Sequence, residues 1–201
     1  MALKHSYTLL APIYDSVVSG RIDKYRKISI SRLQEVNNKN ILINGIGSGL
    51  DIPYLPEGAH YTATDITPAM LNRAIRRAQD SQLDIDFQIA DSHALPFEDN
   101  SFDAVIMHLI LAVVPQPELA LKEACRVLKP GGKIYIFDKF IRAEQLAITR
   151  RLLSLLLQHI ATRTDVVFEN VLNSCPQLKI THDKPALAKG WFRLIELNKL
   201  K

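Results

Sequence analysis

The chain has 201 residues, of which 47% are apolar and 23% charged, with a mean hydropathy of +0.01 and a formal net charge of +4. That balance excludes a fibre or a disordered tail and suits one domain, 1–201, with a sizeable core. No run reaches the roughly eighteen uncharged residues of a membrane span, and the first six residues lack the apolar centre of a secretory signal, so a cytoplasmic protein is expected.

The charge is unevenly placed. Residues 41–138 hold 7 Lys+Arg against 13 Asp+Glu, whereas 1–40 hold 7 against 3 and 139–201 hold 11 against 5. In the first forty residues Leu9, Leu10, Ile13, Tyr14, Val17 and Val18 recur at helical spacing, followed by Arg21, Lys24, Arg26 and Lys27. This predicts a helical lid whose apolar stripe packs on its own core or rests on an anionic membrane surface; both readings stay open.

Ile41 to Ile43 is a short apolar run suited to a buried parallel strand, and Gly45-Ile46-Gly47-Ser48-Gly49 lets the backbone turn tightly after it. A second run, His60 to Thr64, ends in Asp65, twenty positions after Gly45. Glycine turn, helix start and acid at that distance are the parts of a βαβ nucleotide site, in which the acid accepts the ribose hydroxyls. A dinucleotide GxGxxG would need glycine at position 50, which is Leu50.

Further strands are expected at 85–89, 103–109 and 133–138. Helices are expected over 68–79, with Thr67 as N-cap before Pro68, and over 117–128, stopped by Lys129-Pro130-Gly131-Gly132. Strands alternating with helices predict an α/β, doubly wound, mostly parallel sheet with 41–138 as its cofactor-binding core. Residues 144–160 form a second basic amphipathic stretch, and Leu178–Thr181 and Trp191–Leu197 read as two late strands joined by Lys184-Pro185. Cys125 and Cys175 lie far apart in sequence and read as buried thiols of a reducing compartment. No histidine has metal-ligand spacing to Cys, Asp or Glu, so no metal site is expected.

Three blocks then follow in order: Phe87 to Phe97 with Asp91-Ser92-His93 at its centre, Asp99-Asn100-Ser101-Phe102-Asp103, and Arg126 to Gly132. With the GxGxG loop they resemble the ubiquinone and menaquinone methyltransferase-like branch of the class I S-adenosylmethionine-dependent methyltransferases. Tyr14-Asp15, Gly20-Arg21, Val113-Val114-Pro115-Gln116-Pro117 and the ending Gly190 to Ile195 resemble, within it, the small bacterial phosphatidylethanolamine N-methyltransferases. The resemblance implies a seven-stranded Rossmann-like sheet with its last strand antiparallel, and S-adenosylmethionine as cofactor. It implies a small or lipid acceptor, a phospholipid amine first and a thiol or quinone ring next; the basic amphipathic flanks add an expected peripheral contact at the inner membrane surface, and the lack of an asparagine-proline-proline-type loop or an added recognition domain speaks against a nucleic-acid partner.

Carried over by position, Gly45, Gly47 and Gly49 would hold the methionine moiety and Asp65 the ribose. Ile66 and Met70 would line the adenine, Asp91 would meet its amino group with Ser92 and His93 nearby, and Met107 and His108 would stand beside the sulfonium. A neutral amine acceptor needs a proton acceptor. Tyr7, Tyr14, Asp15, His108 and Asp138 are the candidates, His108 first because histidine ordinarily titrates nearest neutral pH. Two departures mark the chain: Ile43 stands where the family carries an acid, and Leu111-Ala112-Val113 where the quinone branch carries histidine. They motivate the alternative of a cofactor-binding module without turnover.

Overall fold

The computed structural model describes residues 22–140, 166–187 and 190–201. Its strands are β1 (Asn40–Asn44), β2 (His60–Asp65), β3 (Asp84–Ile89), β4 (Phe102–His108), β5 (Leu128–Lys139), β6 (Leu178–Pro185) and β7 (Phe192–Lys199). They form one sheet in the order β3-β2-β1-β4-β5-β7-β6. β1 to β5 pair in parallel, and β7 runs antiparallel to both β5 and β6. This is the seven-stranded α/β sheet that the alternating segments predicted. The helices are α1 over 22–30, α2 (Pro68–Ala78), α3 (Pro117–Val127) and α4 (Phe168–Asn173).

Alternation along the central strands divides the core. Leu42, Val105, Met107, Ile134 and Ile136 face the side packed with Leu121 and Ala124 of α3 and Phe168 of α4. Ile41, Ile43, Ala104, Ile106 and Tyr135 face the side packed with Leu71 and Ala74 of α2. Both faces are covered, as a parallel sheet requires.

Three local expectations shift. Helix α3 passes straight into β5 at Leu128, so Pro130-Gly131-Gly132 lies inside that strand, opposite a register shift between Phe102 and Ala104. A Cβ at Gly132 would stand 2.8 Å from the Asp103 carbonyl, which is why glycine is needed there. The end of α3 is closed instead by Lys199, whose Nζ donates to the carbonyls of Cys125 (2.7 Å) and Leu128 (2.6 Å) and to Asn100 Oδ1 (2.8 Å). Strand β6 includes Lys184-Pro185, so that pair belongs to the strand and not to the connection with β7. Proline is tolerated there because β6 is an edge strand.

The amphipathic stretches 9–18 and 144–160, together with Tyr7, Tyr14 and Asp15, lie outside the described residues. Among the described residues no helix is long and apolar enough to cross a membrane, and no group of three or more His, Cys, Asp or Glu could hold a metal ion.

Candidate cofactor and acceptor site

The carboxyl ends of the parallel strands carry the site. After β1 the chain turns through Gly45 (φ 82°), Gly47 (φ 57°) and Gly49 (φ 82°), all left-handed conformations that favour glycine. Their surroundings differ. A Cβ at Gly45 would collide with Ile110 Cδ1, and one at Gly49 would meet Ala74 Cα at 2.9 Å, whereas among the described residues nothing stands within 4 Å of one at Gly47. Two glycines therefore serve close packing, and the middle one leaves backbone open to a ligand. Arg77 of α2 holds the loop from below by donating to the Ser48 carbonyl.

Asp65 closes β2 and fixes this turn. Its Oδ2 accepts the Gly47 N–H at 2.9 Å and its Oδ1 the Thr67 N–H at 2.8 Å. Thr67 itself makes no side-chain cap on α2. Burial pushes the Asp65 carboxyl above its usual range, against the pull of those two donors. Each carboxylate oxygen has a second lone pair for a ligand hydroxyl. Beside it Ile66 is 45% exposed and Ile89, paired with Asp65 across the sheet, 60% exposed. Two large apolar side chains left in solvent on either side of one carboxylate suit a flat aromatic ring. Ile89 was not singled out from sequence, where it appears only as the end of an expected strand. Met70 is part-buried on the first turn of α2.

Beyond β3, Asp91 Oδ1 accepts the His93 N–H at 2.9 Å and lies 3.0 Å from His93 Nδ1, making a tight exposed turn. Ser92 is buried and donates to Asn44 Oδ1 at 2.7 Å. Asn44 Nδ2, at the last position before the glycine turn, is buried without a hydrogen-bond partner. Ile43, where the family acid would stand, is 1% exposed and packs in the core on the opposite face.

At the end of β4 the structure separates two residues that the resemblance placed together. Met107 has no exposed surface and belongs to the core against α3. His108 points to the other face, where its Nδ1 lies 2.9 Å from Asp51 Oδ1 and its Nε2 2.9 Å from Ser29 Oγ. Arg26 Nη1 donates to the same Asp51 oxygen at 2.8 Å. Burial disfavours the Asp51 carboxylate, but His108 and Arg26 outweigh it and hold the group well below the usual range. A buried polar knot thus ties helix α1 to the segment leaving the glycine turn and to β4. Sequence reading missed Asp51 and Ser29. The available signal was a lone carboxylate, Asp51, in the otherwise uncharged run Leu50 to Pro56.

Leu109 follows with φ 57°, a strained value for a branched side chain, its N–H bonded to the Phe137 carbonyl at 2.8 Å. It packs with Ile22 and Tyr25 of α1 and with Phe137, Leu194 and Phe192, an aromatic-rich face over the ends of β4, β5 and β7. Asp138 ends β5 and is fully buried. It accepts the Ala112 N–H at 3.0 Å and the Lys139 N–H at 2.8 Å, so it pins the loop after β4 rather than forming a simple ion pair with Lys139. Burial raises its carboxyl to about 6.

Glycine turn, ribose-type acid, apolar slot and covered sheet now coincide with a sequence comparison: residues 42–136 match the family model described as a methyltransferase domain. Over that span, just under half of the chain, the sequence is similar to methyltransferase domains, and the sheet has the fold of the class I S-adenosylmethionine-dependent methyltransferases. A demethylmenaquinone methyltransferase of Renibacterium salmoninarum is 38% identical over 134 residues, 64% of this chain and 55% of its own length. The chain thus spans about half the length of that curated relative. A phosphatidylethanolamine N-methyltransferase of Cereibacter sphaeroides is 26% identical over 201 residues, covering 98% of each chain. Among solved structures, an S-adenosylmethionine-dependent methyltransferase from Methanosarcina mazei superposes with a TM-score of 0.68 over 86% of this chain and 97% of its own, at 23% identity, a likeness of fold.

Proposed function

We propose that this protein moves the methyl group of S-adenosylmethionine to an amphipathic acceptor, a phospholipid headgroup amine first. The observation that carries the reading is the reach of the similarity. Likeness to the quinone enzyme covers 64% of the chain, whereas likeness to the phospholipid enzyme runs over 98%, including the flanks that would form an acceptor pocket. The basic flanks, 18 Lys+Arg against 8 Asp+Glu outside 41–138, suit an anionic lipid surface.

In this reading the open backbone at Gly47 receives the methionine end of the cofactor, and Asp65 binds the ribose. Ile66, Ile89 and Met70 enclose the adenine, and Asp91 and His93 bound it on the β3 side. The unpartnered Asn44 amide supplies a polar group at the turn in place of the acid missing at Ile43. The cofactor contributes an activated methyl for in-line displacement, so the protein orients, desolvates and accepts a proton. His108 is the proton acceptor of this reading and is reached through the Ser29 hydroxyl, since Asp51 holds its other nitrogen. Tyr14 and Asp15 are kept as further acceptor-side groups. Incubation with methyl-labelled S-adenosylmethionine and vesicles of phosphatidylethanolamine tests the proposal. Label is expected in the lipid amine; label in added demethylated quinone instead refutes the acceptor, and no label in any pool refutes turnover.

A further inference from the structure

Cys125 and Cys175 are 50 positions apart in sequence, yet the fold brings them to one wall. Cys125 sits near the end of α3 and Cys175 just after α4, and these two helices pack on each other. Both thiols are free, and both side chains are buried yet line a cavity of about 290 Å³ with Lys122, Arg126, Ser174 and Gln177. The two thiols line the same wall closely enough for each to affect the other's ionisation. Ser174 Oγ lies 3.5 Å from Cys175 Sγ, and Cys125 Sγ 3.6 Å from Gln177 Oε1. The place is the amino end of β5, whereas the glycine turn lies at the carboxyl ends of the strands. Methyl transfer makes no use of it.

We propose that Cys125 and Cys175 are an oxidisable pair that closes an intramolecular disulfide when the protein meets a small peroxide. The two sulfurs have unequal surroundings. The neighbouring Cys125 thiol, the Ser174 hydroxyl and the Lys122 charge bring the Cys175 thiol down, while the neighbouring Cys175 and burial push Cys125 up. Cys175 is therefore the attacking sulfur. Its thiolate takes one oxygen of the peroxide, the O–O bond breaks, and a sulfenic acid and a hydroxide result, the hydroxide leaving as water after gaining a proton. Cys125 then gives up its proton and attacks the Cys175 sulfur, the S–O bond breaks, and the departing hydroxide takes that proton. Two thiols lose two electrons, and one hydrogen peroxide becomes two waters. The bridge ties α3 to the segment that enters the β6–β7 hairpin.

Buried cysteines also serve as small inert apolar groups, and that alternative makes the opposite prediction. The reduced full-length protein is treated with a few equivalents of hydrogen peroxide, and its intact mass and denatured thiol count are read. A loss of about 2 Da in the monomer is expected, with both thiols vanishing together, dithiothreitol restoring them, and one cross-linked peptide joining positions 125 and 175. Cys125→Ser should stop at a sulfenic acid on Cys175 that dimedone captures, and Cys175→Ser should leave Cys125 unmodified at the same dose. Two thiols surviving, a bridge between separate chains, or independent gains of oxygen without the paired loss would each overturn the proposal. The mass reading on the unaltered protein decides it even where a serine variant does not fold.

Discussion

Asp51→Asn removes the charge at the centre of the knot joining α1 to the glycine turn. Asp51, Arg26 and His108 are 2%, 7% and 4% exposed, so the substitution leaves a guanidinium and an imidazole facing a neutral amide away from solvent. Removing one partner of a buried ion pair costs about 3–5 kcal/mol, more than the pair contributes net, because the surviving charge stays away from water without the carboxylate that balanced it. For a domain of this size each kcal/mol moves the melting temperature by about 2–4 °C, which gives a fall of roughly 10 °C at pH 7. The folded carboxyl is held below its unfolded value, so its contribution is present above about pH 4 and is lost as pH falls through the folded value. The gap between the variant and the natural protein should therefore close in acid. Urea unfolding at pH 7 and in acid, on Asp51→Asn, Arg26→Met and the double variant, gives the coupling directly. The double variant should be less damaged than the sum of the single ones, by more than about 1 kcal/mol. Additive losses, or a single-variant loss below about 1 kcal/mol, would show that the three groups do not act as one buried unit.

Other expectations follow from the site. Gly47→Ala adds a Cβ into open space, so its stability cost stays near the roughly 1–2 kcal/mol of left-handed strain while calorimetry shows weakened S-adenosylmethionine binding; Gly49→Ala, pressed on Ala74, should lose more stability in the same denaturation assay. Asp65→Asn should cut cofactor affinity about 10-fold to 100-fold, the worth of charged hydrogen bonds of about 1.5–3 kcal/mol, read by isothermal titration. The Asp138 carboxyl is raised to about 6 by burial, so the folded protein holds the extra proton and stability falls as pH rises from about 4 to 6, by about 3 kcal/mol; Asp138→Asn should flatten that slope in urea melts.

The sheet was legible because its signals are local and repeated. Apolar runs at Ile41–Ile43 and Val105–Met107, periodic segments at 68–78 and 117–127, and turn residues between them all agree, and agreement across levels is what specifies a fold. Gly45, Gly47, Gly49 and Asp65 could be read because glycine turn and acid sit at a spacing set by one crossover between the parallel strands β1 and β2, although that crossover holds only the 3-10 turn Ile52–Tyr54 in place of the helix start expected from sequence. What could not be read depends on pairs distant in sequence. Arg26, Ser29, Asp51 and His108 meet only once α1 lies over the strand ends, and Cys125 reaches Cys175 only through the packing of α3 on α4. Lys199, which the sequence did not single out, closes α3 from 71 residues away. Ile66, expected at the adenine, and Ile89, which the sequence did not single out, are both exposed, because parallel strands that stop at a ligand face leave their last apolar residues in solvent.

The substitution at Ile43 takes on its meaning from this arrangement. An acid at that position would point into a face packed by Ile41, Ala63, Ala104 and Ile106, where a carboxylate needs a dedicated partner to be tolerated. The chain puts isoleucine there and carries its buried carboxylate at Asp51, eight residues on and past the turn. An acid before the turn could act on the cofactor side of the loop alone, whereas Asp51 is bound to Arg26 of α1 and to His108 of β4. Arg26 and Asp51 join α1 to the segment leaving the glycine turn, and a change at Arg26, remote from the loop in sequence, is expected to shift S-adenosylmethionine affinity in the same direction as a change at Asp51. Equal affinity in Arg26→Met and the natural protein would break that link, and with it the reason for placing the charge at Asp51.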